Sequence, residues 1–161
     1  MISLILSITA CGFRLRGSVE VPDVLQKTHI TGIAEFSELN QELKRVLQGS
    51  GSEVLSQPQN AKSIISISGE SFRRRVLSVD ALGRASEYEL IYRYHFKISD
   101  ADGKVVIPNQ EISLIRDYQF DPNNVLATDA QEAQIRTSMV KFSVRQMIRR
   151  VDSQLKSALS K

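Results

Sequence analysis

The sequence lacks tryptophan, has two histidines and has one cysteine among its 161 residues. A single cysteine cannot form an internal disulfide. The histidines, His29 and His95, lie about 66 positions apart with no carboxylate at metal-ligand spacing, so no metal site is predicted. No run after Ala10 approaches the roughly 20 apolar residues that cross a bilayer as a helix. The net charge of +3 is too weak to indicate a nucleic-acid-binding protein.

Catalytic motifs are lacking too. The sequence has no Gly-x-Ser-x-Gly elbow, no phosphate-loop glycine pattern and no His-Glu-x-x-His zinc helix. Glu87, Glu89 and His95 would share one face of a strand, but solvated charges opposite an apolar face explain them more simply. The sequence therefore predicts a protein that is not an enzyme and that uses no cofactor.

The single cysteine, Cys11, follows a short apolar segment, Met1–Ala10. The segment is typical of the hydrophobic core of a secretory signal, although no Lys or Arg precedes it. Ile8-Thr9-Ala10-Cys11 resembles the bacterial lipobox, in which a peptidase cuts before the cysteine and the thiol carries lipid. We expect residues 1–10 to be a lipoprotein signal peptide and Cys11 to be lipidated. The alternatives are a buried free cysteine or a first strand.

Residues 11–26 show no clear hydrophobic period, which indicates a lipidated N-terminus and a tether ahead of a single α+β domain at 27–161. One acyl chain binds a membrane only marginally, whereas several chains on one cysteine hold firmly. Because Gly12 rather than Asp follows Cys11, enteric-type sorting would place the protein at the outer membrane, anchored by lipid on the periplasmic side.

The clearest strand pattern runs through "SEYELIYRYHFKIS", where apolar residues from Tyr88 to Ile98 alternate with charged ones. This alternation is typical of an antiparallel sheet with one packed and one solvated face. In the preceding strand, Gly69 separates two apolar registers and predicts a bulge. Asp102-Gly103 predicts a hairpin turn, and Pro108 in the returning strand favours an edge or a bulge.

Two helices are predicted. Ser37 is placed to cap the first, which ends at Gly49 and Gly51. The last helix is predicted to begin near Thr128, which would form a capping box with Gln131. The predicted fold class is α+β, a two-layer sandwich with two helices packed on one face of a mostly antiparallel four-stranded sheet.

Arginines form the most conspicuous charged feature. In "SFRRRVLSVDALGRASEY", Arg73, Arg74 and Arg75 are consecutive in a strand, so Arg74 would point away from the other two, and Arg84 follows in the loop. One interpretation is a solvated basic edge that deters sheet-to-sheet aggregation. The other is an anion site, because guanidinium groups match phosphate bidentately.

Motifs along almost the whole chain resemble one known family. Cys11 to Gly17 ("CGFRLRG") resembles the mature N-terminus of the LptE family of outer-membrane lipopolysaccharide-assembly lipoproteins. The agreement continues at Val21-Pro22, at Glu87-Tyr88, at Arg116-Asp117-Tyr118, and at Val125-Leu126-Ala127 before the last helix.

This resemblance implies a two-layer α/β sandwich that plugs the LptD-type outer-membrane β-barrel, helps to assemble it and interacts with lipopolysaccharide. The basic groups would meet lipid A phosphates or the barrel wall, and the candidate lipopolysaccharide-binding residues are Arg73, Arg74, Arg75, Arg84 and Arg116. Ala81 and Thr128 stand where family members have been proposed to use basic residues. The alternative is another lipid-anchored periplasmic adaptor or binding module without a barrel partner.

Overall fold

The computed structural model describes residues 21–159, which form five strands and two helices. The elements are β1 (Lys27–Thr31), α1 (Glu38–Gly49), β2 (Glu53–Leu55), β3 (Ser63–Val79), β4 (Ala85–Asp100), β5 (Val105–Gln119) and α2 (Val125–Leu159). The predicted signal peptide at 1–10 and Cys11 lie outside the described residues. A short 3-10 turn, Asp23–Leu25, precedes β1, and its Leu25 is fully buried. The hydrophobic core therefore begins ahead of the boundary predicted at 27.

The strands form one mixed sheet in the order β2-β1-β3-β4-β5. The prediction of four mostly antiparallel strands is wrong in its strand count, because β2 is a fifth strand and both β2 and β3 pair with β1 in parallel. A helical crossover returns the chain to the same end of a sheet, so α1 makes β2 run parallel to β1. The sequence predicts only a short edge segment from Glu53 to Ala61, and three residues are too few for hydrophobic alternation to count β2 as a full strand of the sheet.

β3, β4 and β5 form an antiparallel meander. The predicted bulge is confirmed, because the pairing of β3 with β4 shifts register between Ser68 and Ser71, on either side of Gly69. Both hairpins close in the same way. The carboxylates of Asp80 and Asp100 each accept two backbone N–H groups from the turn that follows. These bonds hold the turns without help from the core.

The helix-facing side of the sheet carries the core. In β4 the side chains of Leu90, Tyr92, Tyr94, Phe96 and Ile98 are all fully buried, as the alternation predicted. α1 and α2 contact each other, and α2 also contacts β4 and β5, so both helices lie on this one side. The helices contribute the other large part of the core, from Leu39, Leu43, Leu47, Met139, Val140, Val144, Met147, Ile148 and Val151.

The two helix starts differ in how well the sequence predicted them. Ser37 caps α1 as expected, since its hydroxyl accepts the N–H of Asn40 at 3.2 Å. The capping box at Thr128 is wrong, because α2 begins earlier, at Val125. The N–H and the hydroxyl of Thr128 both donate to the carbonyl of Asn124, so Thr128 already belongs to the first helical turn.

Neither described helix covers the opposite face of the sheet. On β4 this face presents Glu87, Arg93, His95 and Lys97, which are half-buried or exposed. It carries charges of both signs, with glutamates near the start of β4 and basic residues further along, so the face is polar without being strongly acidic or basic.

Candidate functional site

The three consecutive arginines of β3 divide between the two faces of the sheet, as strand geometry requires. Arg74 pairs with Leu90 of β4 and lies on the helix-facing side. Arg73 and Arg75 pair with Ile91 and Glu89 on the uncovered face. The structure therefore does not bring these three residues together in one site.

Arg74 belongs to a network that ties the sheet to α2. Its Nη1 donates to Glu132 Oε2 at 2.8 Å, the Tyr118 hydroxyl donates to the same oxygen, and Arg136 Nε donates to Oε1 at 3.0 Å. The guanidinium of Arg74 also lies 4.7 Å from the centroid of the Tyr88 ring. Burial raises the pKa of Tyr118 to about 12. Its phenol therefore stays protonated and donates to Glu132 at any physiological pH. The charge of Arg74 is balanced within the fold by the Glu132 carboxylate.

Arg75 and Arg84 are also paired with carboxylates. Arg75 donates from Nε and Nη2 to the Glu89 carboxylate at 2.9 and 2.8 Å, and this fork leaves Glu89 only 4% exposed. Arg84 Nε donates to Asp80 Oδ2 at 2.8 Å across the β3–β4 turn. Of the five predicted lipopolysaccharide-binding arginines, Arg73 and Arg116 are the two without a carboxylate partner in residues 21–159.

Arg116 takes part in a cluster that the sequence did not reveal. Its guanidinium lies 5.8 Å from the centroid of the Phe142 ring, and those of Arg145 and Arg149 lie 6.0 and 5.8 Å from the same centroid. These four residues are named the arginine cage. The sequence shows basic residues near the end of the last helix, but they also suit the negative end of a helix dipole. Only the packing of α2 against β5 adds Arg116 to them.

A groove of 810 Å³ lies between the start of β4, the end of β5 and the start of α2. Thr128, Gln131 and Glu87 line it, and the Glu87 carboxylate accepts a hydrogen bond from Ser78 at 2.9 Å. None of the residues that line the groove is a Lys or an Arg. The groove therefore lacks the charge that a phosphate group would need.

Exposed apolar side chains gather at the same end of the molecule. Leu82, at the tip of the β3–β4 hairpin, is 77% exposed, and Leu126, in the first turn of α2, is 85% exposed. Val76, Leu77 and Val79 are also exposed along β3. Apolar groups concentrated at one end are typical of a contact surface for another molecule.

The residues at 21–159 bring together no group of three potential metal ligands. In the same range, neither helix has the length and hydropathy needed to cross a membrane.

Comparison with known protein families identifies the family to which the chain belongs. The family model LptE, described as "Lipopolysaccharide-assembly", matches residues 25–151. The chain belongs to the LptE family. Its members are lipopolysaccharide-assembly lipoproteins rather than enzymes, and the resemblance found in the sequence is confirmed.

Relatives named "LPS-assembly lipoprotein LptE" cover nearly the whole chain. The one from Photorhabdus laumondii is 25% identical over 152 residues, which are 94% of this chain and 82% of the relative. The one from Yersinia enterocolitica is 25% identical over 158 residues, 94% of this chain and 73% of the relative.

Solved structures share the fold. A lipoprotein B from Nitrosomonas europaea matches with a TM-score of 0.75 at 30% identity, over 92% of this chain and 96% of that one. The rare lipoprotein B from Shewanella oneidensis matches with a TM-score of 0.69 at 20% identity, over 83% and 98% of the two chains. The mixed five-stranded sheet with two helices is thus the α+β fold of known lipoproteins.

Proposed function

We propose that the protein acts in lipopolysaccharide assembly as a lipid-anchored outer-membrane lipoprotein that plugs an LptD-type β-barrel and helps that barrel to assemble. The observation that carries the proposal is the LptE family match, which spans the domain from Leu25 to Val151. Assembly and transport of a lipid require a protein that binds and positions its partners. The residues at 21–159 show no arrangement that suggests catalysis.

The surface of the domain supports a plug. A plug must fill a wide polar lumen, and the uncovered face of the sheet offers charges of both signs together with neutral hydroxyls. The exposed hairpin tip at Leu82 and the start of α2 at Leu126 supply apolar groups for the part of the partner they meet. A mixed surface of this kind fits a protein partner better than it fits a bilayer.

We propose that Arg73 and Arg116, rather than the other three candidate arginines, contact lipopolysaccharide directly. Neither of them is paired with a carboxylate in the described part of the chain. Arg74, Arg75 and Arg84 are paired, so binding a phosphate there would require the phosphate to compete with an existing ion pair. Binding through those three residues remains a prediction of the sequence.

Gentle solubilisation of outer membranes, followed by capture through a tag at Lys161, tests the barrel partnership. We expect a large β-barrel protein to be recovered with the tagged chain at a ratio near one to one. Recovery of the acylated chain alone would contradict the plug and favour a different lipid-anchored adaptor. The same capture from cells that make an unrelated tagged lipoprotein controls for barrels that bind any lipoprotein.

Substitution of the predicted lipidation site tests the anchor. We expect Cys11→Ala to abolish the acyl mass on the N-terminal peptide and to move the purified protein from the detergent phase to the aqueous phase of a Triton X-114 partition. The reason is that several acyl chains on one cysteine hold a protein firmly in an apolar phase, whereas the ten-residue leader is too short to span a bilayer. Partitioning the purified protein removes any retention by a barrel partner.

The matched control is Ser7→Ala, which keeps the leader apolar and leaves the cysteine in place. This variant should partition as the unaltered protein does. If Cys11→Ala retained the same bound lipid, Cys11 would not be the site of lipidation.

A further inference from the structure

The arginine cage concentrates positive charge on one small surface. Arg145 and Arg149 lie one helical turn apart on α2, and both follow Phe142 along the helix, while Arg116 approaches the same ring from the edge strand β5. Like charges at this spacing destabilise a helix. The third guanidinium, brought by the sheet, adds to the repulsion.

Nothing within the described residues neutralises this charge. None of the three cage arginines pairs with a carboxylate there, whereas the following arginines all do: Arg45, Arg74, Arg75, Arg84 and Arg136. The Phe142 ring attracts cations, but distances near 6 Å are at the outer limit of that interaction, and one ring has to serve three guanidiniums. A bound anion would neutralise the charge of the three guanidiniums.

Guanidinium groups favour one class of anion. Their planar N–H forks match the oxygens of a phosphate, and a phosphate monoester carries up to two negative charges against one for a diester. Three guanidiniums around one ring therefore suit the monoester better than a single carboxylate or a diester.

The surroundings of the cage indicate that this phosphate is attached to a lipid. Phe142 is 37% exposed, so part of an apolar ring lies among the cations. Lys141, the residue before Phe142 on α2, borders a shallow hollow of 410 Å³ that it forms with Ala133, Gln134, Thr137 and Ser138. Free phosphate would use the guanidiniums alone, whereas the headgroup of an amphiphile would also cover the ring and the hollow.

We propose that the arginine cage binds the phosphate monoester of a lipid headgroup. The inference rests on the proposed function, since a protein of lipopolysaccharide assembly handles anionic lipid, and it assigns this contact to Arg145, Arg149 and Phe142 together with Arg116.

Isothermal titration calorimetry on the full chain, purified in a non-ionic detergent, tests the proposal with three probes. Dihexanoyl phosphatidic acid carries the monoester on a lipid, dihexanoyl phosphatidylcholine carries the same chains without net charge, and inorganic phosphate lacks the chains. We expect phosphatidic acid to bind, inorganic phosphate to bind about tenfold more weakly, and phosphatidylcholine to show no saturable binding.

Variants locate the site. Each cage arginine should contribute about fivefold to affinity for the anionic headgroup, so Arg145→Gln with Arg149→Gln should weaken phosphatidic acid binding roughly 25-fold. The matched control is Arg93→Gln with Lys97→Gln, which removes the same two charges from the uncovered face and should leave binding unchanged. Neither cage substitution strands a buried carboxylate, so thermal unfolding should confirm that the double variant is folded.

Three results would overturn the proposal. Unchanged phosphatidic acid binding by the double variant would exclude the cage. Equal affinity for inorganic phosphate would exclude a lipid headgroup as the ligand, and tighter binding of an oligoglutamate peptide would make the cage a docking surface for an acidic protein. Capture of the barrel partner is measured separately, so its failure would leave these titrations interpretable, and the reverse also holds.

Discussion

Gly32→Ala is expected to lower the free energy of unfolding by about 4 kcal/mol or more, equivalent to a fall in melting temperature of roughly 8–16 °C. Gly32 follows β1 with φ +87°, a conformation that L side chains rarely adopt. A Cβ at this position would also overlap the backbone carbonyl oxygen of Ile67, in the part of β3 that pairs with Phe96 of the core. A backbone atom within a sheet cannot move aside as a flexible side chain can. Thermal unfolding followed by circular dichroism measures the change.

Gly51→Ala separates the two causes. Gly51 has nearly the same φ, +86°, but a Cβ there would meet nothing within 4 Å. This variant should lose only the conformational part, about 1–2 kcal/mol. Equal losses in the two variants would show that the contact with Ile67 contributes nothing.

Glu132→Ala is expected to cost about 3 kcal/mol of unfolding free energy. The carboxylate receives hydrogen bonds from Tyr118, Arg74 and Arg136, and its side chain is only 11% exposed. Removing it leaves the buried Tyr118 hydroxyl without its acceptor and two guanidiniums without a partner. Chemical denaturation at neutral pH measures the loss.

Two comparisons make this result specific. Glu53→Gln breaks the exposed pair with Lys27, in which both side chains are about half exposed, and should cost under about 1 kcal/mol. Glu132→Gln keeps the side-chain shape and should fall between the other two variants. A loss for Glu132→Ala no larger than that for Glu53→Gln would mean that the network adds nothing to stability.

The same carboxylate gives the protein a pH dependence. Burial opposes ionisation of Glu132, but hydrogen bonds from Tyr118 and Arg74 outweigh burial and hold the pKa of this carboxyl below its ordinary value. A lowered folded-state pKa contributes stability above the unfolded pKa and loses it as pH falls through the folded pKa. The unaltered protein should therefore lose stability on acidification below about pH 5 more steeply than Glu132→Gln.

Features that depend on neighbouring residues were predictable from the sequence. The alternation from Tyr88 to Ile98 identified β4 and its packed face, Gly69 marked the bulge, and Ser37 marked the start of α1. Each rests on the local geometry of a strand or a helix end.

The errors arose where a local signal competed with the rest of the fold. Thr128 and Gln131 match a capping box, but α2 begins at Val125, one turn earlier. β2 was too short for its pairing to be predicted, and it lies at the edge of the sheet, where it pairs with β1. A good local match predicts a helix start only when no earlier turn is also favourable.

The candidate site was predictable only in part, because its contacts join residues far apart in the chain. The Arg74–Glu132 ion pair spans 58 positions, and the cage depends on how α2 crosses β5. Periodicity correctly placed Arg74 on the opposite face from its two neighbours. It gave no indication that Arg74 is paired while Arg73 is not.

The lengths of the long elements set the reach of the domain. α2 has 35 residues and β4 has 16, so each extends about 50 Å. The hydrocarbon interior of a bilayer is about 30 Å thick. If α2 and β4 stood along the bilayer normal, their two ends would lie at different depths. One molecule would then contact both the lipid-facing and the aqueous portions of a larger assembly. Shortening the β3–β4 hairpin would then change which depth is reached without altering the core.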